Sequence, residues 1–391
     1  MTALIEGEWA AARAVASGLA ARLADEPVAV GASAGRTLAD DCLAACDLPS
    51  FDTSAMDGWA VNGPSPWRIV GDVAAGRPWN RELRRGDAVR IATGAVMPSG
   101  ATGVLRWESA VVDGDLVRGD VSPGDDVRPA GEECRVGDVI ARTGTDVTPA
   151  LAGFLAATGH DEIRVTRRPR VHLILLGDEL QVSGIPSDGR VRDSLGPQLP
   201  GWLDRMGAVV AARAHVPDRL EGVVAAFEFG SATADLIVTT GGTAAGPRDH
   251  VHAAIEQAGG RLVVDRVAVR PGHPMLLASM PGPAGADVPL VGLPGNPHSA
   301  VVGLVTLAAP IVDAMLGRST SKPRWVPTKE ALRSPPHHTR LVAGNLVDGS
   351  FELSPYGGSA MLRGLAQSSG FAVVPEGVTP AGAIVQWLPL P

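Results

Sequence analysis

Residues 168–180 read "RPRVHLILLGDEL". Six apolar or near-apolar positions follow one another without alternation, and the run stops at Gly177, Asp178 and Glu179. A strand with one wet face alternates, whereas a strand buried on both faces reads as a continuous apolar run. The stretch therefore predicts a central strand of an α/β sheet that ends in carboxylates. The segments that follow keep the same rhythm. A helix is predicted at "LGPQLPGWLDRMGA" (195–208), a strand at "VVAARAHV" (209–216), and a helix at "RLEGVVAAFEFG" (219–230). Then come a strand at "DLIVTTGG" (235–242) and a helix at "HVHAAIEQAGG" (250–260). The strands "RVAVRPG" (266–272), "PMLLASM" (274–280) and "PLVGLPG" (289–295) lead to a long helix at about 297–316. Strands alternating with helices indicate a mostly parallel sheet covered on both faces.

Outward from this unit the texture differs on either side. Upstream, 7–23 reads as an opening helix and 28–46, around "AGRTLADDCLAA", as a second. From about 48 to 140 short apolar runs are punctuated by Gly, Asp and Pro, the pattern of a β-rich insertion. A helix at "TPALAGFLAATG" (148–159) closes it, with Gly159 in the left-handed position after the last turn. Downstream of "GRSTSKPRW" (317–325), the runs "TRLVAGNLVDGSFELSP", "FAVVPEG" and "AIVQWLPLP" predict a small β domain with a hairpin turning at Asp348-Gly349. The fold expectation is a multidomain α/β protein. A central mostly parallel α/β domain (167–318) is joined to a helical N-terminal and linking segment (1–47 with 128–166). A β-rich inserted domain (48–127) and a C-terminal β domain (322–391) complete it.

Composition limits the function classes. The chain has 391 residues, 45% hydrophobic and 19% charged, enough for several cores and inconsistent with disorder. A net charge of −8 argues against nonspecific nucleic-acid binding, which needs a basic face. Cys42, Cys46 and Cys134 form no disulfide framework and no zinc-ligand spacing. They suit buried thiols in a reducing compartment. Glu6, Glu8 and Arg13 occupy positions where a signal peptide needs an apolar run. The longest apolar stretch (299–316) contains Pro310 and Asp313. A cytoplasmic protein without a membrane span is expected.

In open parallel sheets ligands bind beyond the carboxyl ends of the strands. Four such ends carry chemistry here. The first presents Asp178 and Glu179. The second, "LIVTTGGTAAGPRDH" (236–250), runs through Gly241 and Gly242 to Asp249. The third, "VAVRPGHP" (267–274), follows Arg266 and delivers Arg270 and His273. The fourth, "LVGLPGNPHSA" (290–300), turns into a helix that Asn296 or Ser299 would cap. Paired glycines let backbone N–H groups approach an anion at a helix N-terminus, although an ordinary strand-to-helix turn reads the same way. Asp249 is a candidate helix cap or a metal ligand. Carboxylates meeting above one sheet repel unless a cation such as Mg²⁺ neutralises them. Arg270 and His273 match an oxyanion or a phosphate. No Walker loop, zinc-protease helix or nucleophile elbow stands in a suitable context. The residues thus point to an anion-handling site using Mg²⁺ with a phosphorylated or nucleotide-like ligand. The polar turn "PSFDTSAMDGWAV" (49–61) is either plain turn chemistry or the opposite wall of that site.

These motifs, in this order and with "VRIATGAVMPSGATGVLRWE" (89–108), resemble the molybdopterin molybdenumtransferase family, of the bacterial MoeA and eukaryotic gephyrin E-domain type. The resemblance covers essentially the whole chain. It implies a homodimeric enzyme of molybdenum cofactor biosynthesis, acting on molybdate and adenylylated molybdopterin with Mg²⁺ and releasing AMP. Other proteins of that biosynthesis are implied as partners. Glu179 and Asp249 would hold Mg²⁺, with Asp178, Gly241 and Gly242 beside them. Arg270, His273, Pro274 and Ser299 would line a molybdate pocket, with Pro294 and Pro297 shaping its floor and Ser359 reaching in from the terminal domain. Asp57, Thr93 and Glu133 would face the cleft from the β-rich side, and Asp218 and Arg266 from the α/β domain. The chain departs from the family pattern in several places. Lys is usual at 266, 270 and 273, Asp at 133, Ser at 244 and Tyr at 59, and an Arg is expected near Gly344 and Asn345. These departures leave room for a divergent paralogue that binds molybdopterin or a nucleotide, or acts as a scaffold, without turnover.

Overall fold

The strand Arg170–Leu176 hydrogen-bonds in parallel to Val209–Val216 on one side and to Leu236–Thr240 on the other. Its residues 171–176 are all buried. Leu173 and Leu175 enter one core with Leu199, Leu203, Val301 and Ile311, while Ile174 and Leu176 enter a second core with Phe227 and Ile255. A strand with a core on each face needs no polar side, which is why its sequence does not alternate. The computed structural model describes residues 3–243, 250–318 and 323–391.

The sheet has seven strands, in the order Leu4–Gly7, Arg261–Val267, Leu276–Pro281, Asp287–Leu293, Leu236–Thr240, Arg170–Leu176 and Val209–Val216. Leu276–Pro281 runs antiparallel to both neighbours and the remaining pairs are parallel. The predicted helices form at Leu195–Arg205, Leu220–Thr233 and Val251–Gln257. The long helix runs from Pro297 to Leu316 with a π turn at Leu304–Ala308 just before Pro310. Ala309 N–H bonds Leu304 O, so the ladder has already lengthened by one residue where proline supplies no donor. This helix is long and apolar enough to cross a membrane, but its residues are largely buried inside the fold.

Two N-terminal expectations are corrected. The opening helix is shorter than 7–23, spanning Trp9–Gly18, and the strand Leu4–Gly7 precedes it on the edge of the seven-stranded sheet. Trp9 Nε1 donates to Thr306 Oγ1 at 3.1 Å and Arg13 donates to the Val305 carbonyl, so this helix packs on the long helix of the α/β unit. Residues 4–18 thus pack with the α/β unit. The second helix, at 28–46, is absent. Short strands at Asp25–Ala29, Thr37–Leu38 and Cys42–Leu43 replace it. The first two pair with Glu162–Thr166, and the third pairs with Val139–Ala141. Gly35 sits at φ 80°, which ends any helix there, and Leu38 and Cys42 bury against Leu155, Ile163 and Val165. Cys42 and Cys46 are therefore not helix neighbours, and all three cysteines are free.

The β-rich insertion holds a six-stranded sheet built from Val111–Asp113, Leu116–Arg118, Trp67–Val73, Asp87–Ile91, Gly58–Val61 and Gly103–Arg106. The helix Pro149–Ala157 closes the region, capped by Thr148, whose side chain accepts from Leu151 N–H, and Gly159 adopts φ 94°. In the terminal domain Thr339–Val347 and Ser350–Leu353 form the hairpin. Asp348 and Gly349 lie at φ 52° and 77°, the pair of positive values that a two-residue turn demands. One further strand of that sheet comes from elsewhere. The chain leaves the α/β sheet after Val267 and, at Val269–Arg270, pairs in parallel with Thr339 and Arg340. This crossing joins two domains at the point where the basic residues lie.

Candidate functional site

A pocket of about 420 Å³ opens at that junction. The turn after Val269–Arg270 supplies Arg270, Gly272, His273 and Pro274, and the turn before the long helix supplies Pro294, Asn296, His298 and Ser299. The terminal domain adds Arg340 and the loop Gly357–Ser359. Five residues expected from the resemblance to share a pocket, namely Arg270, His273, Pro274, Ser299 and Ser359, do so together with Pro294. Among the described residues, no Asp or Glu lines it. A second hollow of similar size lies between Gln198–Arg205 and Leu362–Ser368, but its walls are mainly apolar with a single arginine. The first combines two arginines with two histidines and two serines.

The loop from the terminal domain is tied down by the start of the long helix. His298 N–H and Ser299 N–H both donate to the Ser359 carbonyl, at 3.1 and 3.3 Å. His298 Nδ1 lies 2.9 Å from the Gly358 carbonyl, which makes Nδ1 the protonated nitrogen. Burial pushes the His298 imidazole below its ordinary value, the Gly358 bond opposes that shift and the charge of Arg340 adds to it. The net shift disfavours the charged ring, and its Nε2 is buried without a hydrogen-bond partner among the described residues. Asn296 stands at the helix N-cap, yet neither it nor Ser299 makes the expected side-chain cap. Its amide reaches Ser359 Oγ at 3.4 Å instead.

Arg266 is turned out of this pocket. Its backbone is left-handed at φ 64°, and its guanidinium lies 3.5 Å from Glu6 and 3.8 Å from Asp265. His273 holds the Val267 carbonyl through Nδ1 at 2.9 Å, with Nε2 3.9 Å from the same Glu6. The N-terminal strand therefore brings a carboxylate to the basic cluster, a neighbour that no local pattern announces.

The acidic strand ends lie beyond the neighbouring strands. Asp178 Oδ1 accepts from Asp218 N–H at 3.3 Å. Glu179 is exposed and folds back over Gly177, where a Cβ would stand 2.9 Å from its carboxylate. Gly177 and Gly241 occupy φ 141° and 81°, and Gly242 lies at 62°. Gly241 N–H bonds the Leu293 carbonyl, which draws this strand end beside the Pro294 turn. Asp249 and Ala244 lie outside the described residues. Among those described, no three His, Cys, Asp or Glu side chains converge as a metal cage. Asp178 and Glu179 are exposed carboxylates at one strand end, the donor type that Mg²⁺ takes one or two of together with ligand oxygens.

On the β-rich domain, the exposed Asp57 accepts from Thr93 N–H at 2.8 Å through Oδ1. Ser54 Oγ donates to the Met56 carbonyl at 2.6 Å and so orders the preceding turn, and Asp52 accepts from Ala130 N–H at 2.7 Å. Trp59 stacks on Trp107 at 4.7 Å, with the Arg90 guanidinium 4.6 Å from the Trp107 ring centre. Glu133 is exposed, and its backbone pairs with Leu48. No described contact links Asp57, Thr93 or Glu133 to the basic pocket within one chain. Pro297 forms the first helical residue beside the pocket rather than part of its wall.

Several residues of this region escape sequence reasoning. Arg340 reaches the pocket from a strand seventy positions downstream of its neighbour in register, Arg270. His298 stands inside a quoted motif, and a lone polar ring on an otherwise apolar helix was its available signal. Asp193 is buried, accepts from Gly196 N–H at 2.8 Å, and lies 3.3 Å from Arg213 and 3.1 Å from His215. The sequence offers no local sign of that cluster.

Residues 8–159 match the family description "MoeA N-terminal region (domain I and II)", 172–314 match "Probable molybdopterin binding domain", and 326–390 match "MoeA C-terminal region (domain IV)". A protein of Synechococcus elongatus named molybdopterin molybdenumtransferase is 34% identical, over 91% of each chain. One of the same name from Haemophilus influenzae is 30% identical, over 80% of this chain and 76% of its own. The crystal structure of a molybdopterin biosynthesis MoeA protein from Pyrococcus horikoshii shares the fold, with a TM-score of 0.81 at 21% identity over 98% of this chain and 99% of that one. The chain belongs to the molybdopterin molybdenumtransferase family, whose members are transferases.

Proposed function

We propose that the protein inserts molybdenum into molybdopterin, using adenylylated molybdopterin and molybdate as substrates, with Mg²⁺, and releasing AMP. One observation carries the reading. The pocket between the α/β and terminal domains gathers Arg270, His273 and the hydroxyl-bearing Ser299 and Ser359, and among the described residues no carboxylate lines it. Such a wall suits a tetrahedral dianion, here molybdate. Arg270 takes the anion by a charge-assisted hydrogen bond, and the serine hydroxyls donate to its remaining oxygens. Glu179, with Asp249 by resemblance, holds Mg²⁺, which when bound neutralises charge on the substrate phosphates. Phosphoanhydride cleavage then calls for alignment and charge compensation more than for a protein nucleophile. Asp57 and Thr93 approach from the β-rich domain of the second copy in a homodimer, and the enzyme works in the cytoplasm alongside other proteins of the same biosynthesis. The test is incubation with adenylylated molybdopterin, molybdate and Mg²⁺. AMP release and formation of active cofactor are the expected result, and the absence of both overturns the proposal.

A second reading, a paralogue that binds without turnover, is favoured by one specific observation. Arg266, one of the three basic positions, is held by Glu6 and Asp265 instead of facing the pocket. Arg270→Lys and His273→Lys separate the two readings. A large gain of molybdate-dependent turnover marks a decayed enzyme, whereas unchanged or lower activity marks an enzyme adapted to Arg and His.

A further inference from the structure

Arg270 and Arg340 face each other in register on two parallel strands, Val269–Arg270 and Thr339–Val347, and both line the pocket. Like charges directly opposite on paired strands are destabilising unless something between them compensates. No acidic side chain among the described residues pairs with either. Glu6, the carboxylate nearest His273, is engaged by Arg266. Arg340 is half-buried and commits one guanidinium nitrogen to the Arg333 carbonyl, at 2.9 Å. That bond orients the planar fork and leaves most of its donors for another acceptor.

The positions further along the same strand cannot take this role. A Cβ at Gly344 would stand 2.2 Å from the Glu352 carbonyl oxygen and 2.5 Å from the Phe351 ring. Asn345 is occupied at both ends of its amide, donating to the Gln367 carbonyl and accepting from Ser369 N–H. The terminal domain's cation at the pocket is Arg340.

We infer that Arg340 is a substrate-contacting residue, closing with Arg270 a two-guanidinium clamp on the tetrahedral oxyanion that enters this pocket. The inference rests on the reading of the pocket as the molybdate site, and the chemistry is shared with sulfate and phosphate. Two fixed guanidinium cations thus meet a dianion.

Calorimetric titration of the full-length protein with molybdate, with sulfate and, separately, with AMP tests it. Arg340→Gln should weaken molybdate binding by about tenfold or more, the loss of a charge-assisted hydrogen bond. Arg340→Lys should recover part of the affinity, and AMP affinity should stay unchanged in both. Equal molybdate affinity in wild type and Arg340→Gln overturns the inference. An equal fall in AMP affinity also overturns it, because Arg340 would then act through the fold. If wild type binds sulfate as well as molybdate, makes no cofactor, and still depends on Arg340 for the anion, the clamp stands and the molybdate reading falls.

Discussion

Thr93 gives its backbone N–H to Asp57 Oδ1 at 2.8 Å, tying the turn that follows Asp87–Ile91 to the turn that precedes Gly58–Val61. Both residues are exposed, so the bond fixes a carboxylate in open surroundings. Asp57→Ala should therefore cost at most about 1 kcal/mol of stability, as surface changes do. Turnover should fall on the order of 10²-fold if the carboxylate faces substrate. Thermal melts beside AMP-release assays check this, and a loss of activity no greater than the loss of folded protein returns Asp57 to a structural role.

Glu179 and Gly177 make a linked pair. Glu179→Gln keeps the shape and removes the charge, so Mg²⁺ affinity should fall by at least about tenfold with little change in melting temperature. Gly177→Ala places a methyl group against the Glu179 carboxylate at a backbone φ of 141°, and should weaken Mg²⁺ binding while also lowering stability. Isothermal titration with Mg²⁺ in the presence of AMP distinguishes the two variants.

Asp193 predicts a stability effect away from the pocket. Its carboxylate is buried and serves Gly196 N–H, Arg213 and His215 together. Asp193→Ala leaves a helix-start donor and a partly buried arginine without their acceptor, and should cost about 2 kcal/mol. Urea unfolding at neutral pH measures it, and a change below about 0.5 kcal/mol would deny the cluster any structural weight.

Two buried histidines set an acid limb. Burial holds His298 and His172 below the ordinary imidazole value of 6.5. The unfolded chain then binds more protons than the folded one as pH falls through about 6.5 and downward, so stability drops over that window. Asp313 acts in the opposite sense. Burial raises its carboxyl against the pull of Arg318, so its folded form holds the extra proton and gains stability toward acid. His172→Leu combined with His298→Val should flatten the decline in melting temperature between pH 7 and 5. An unchanged slope would show that neither imidazole is responsible.

The α/β series was legible because buried parallel strands announce themselves by continuity: 170–176, 236–240 and 287–293 need no partner to be recognised. The segment 28–46 was not. Its Ala and Leu spacing suits a helix locally, but Leu38 and Cys42 are claimed by a core formed with Ile163 and Val165, and the long-range pairing wins over propensity. The acidic and glycine-rich strand ends could be read from the topology rule alone. The register that sets Arg340 beside Arg270, and the edge strand that brings Glu6 to His273, are properties of pairing between distant segments, to which no window of sequence is sensitive.

The strand Leu4–Gly7 has a consequence for how the molecule is made. It leaves the ribosome long before its partner among the described strands, Val264–Val267, which emerges after about 250 further residues have been synthesised. The insertion and linking segments can fold in the meantime, since domains fold as units in order of synthesis. The α/β sheet cannot close its edge until the two ends of a very long loop meet, which makes that closure a late and slow event. Until then Arg261–Val267 presents an open edge to other nascent chains. Deleting the first seven residues should accordingly harm soluble yield during expression more than it harms the stability of whatever protein is recovered.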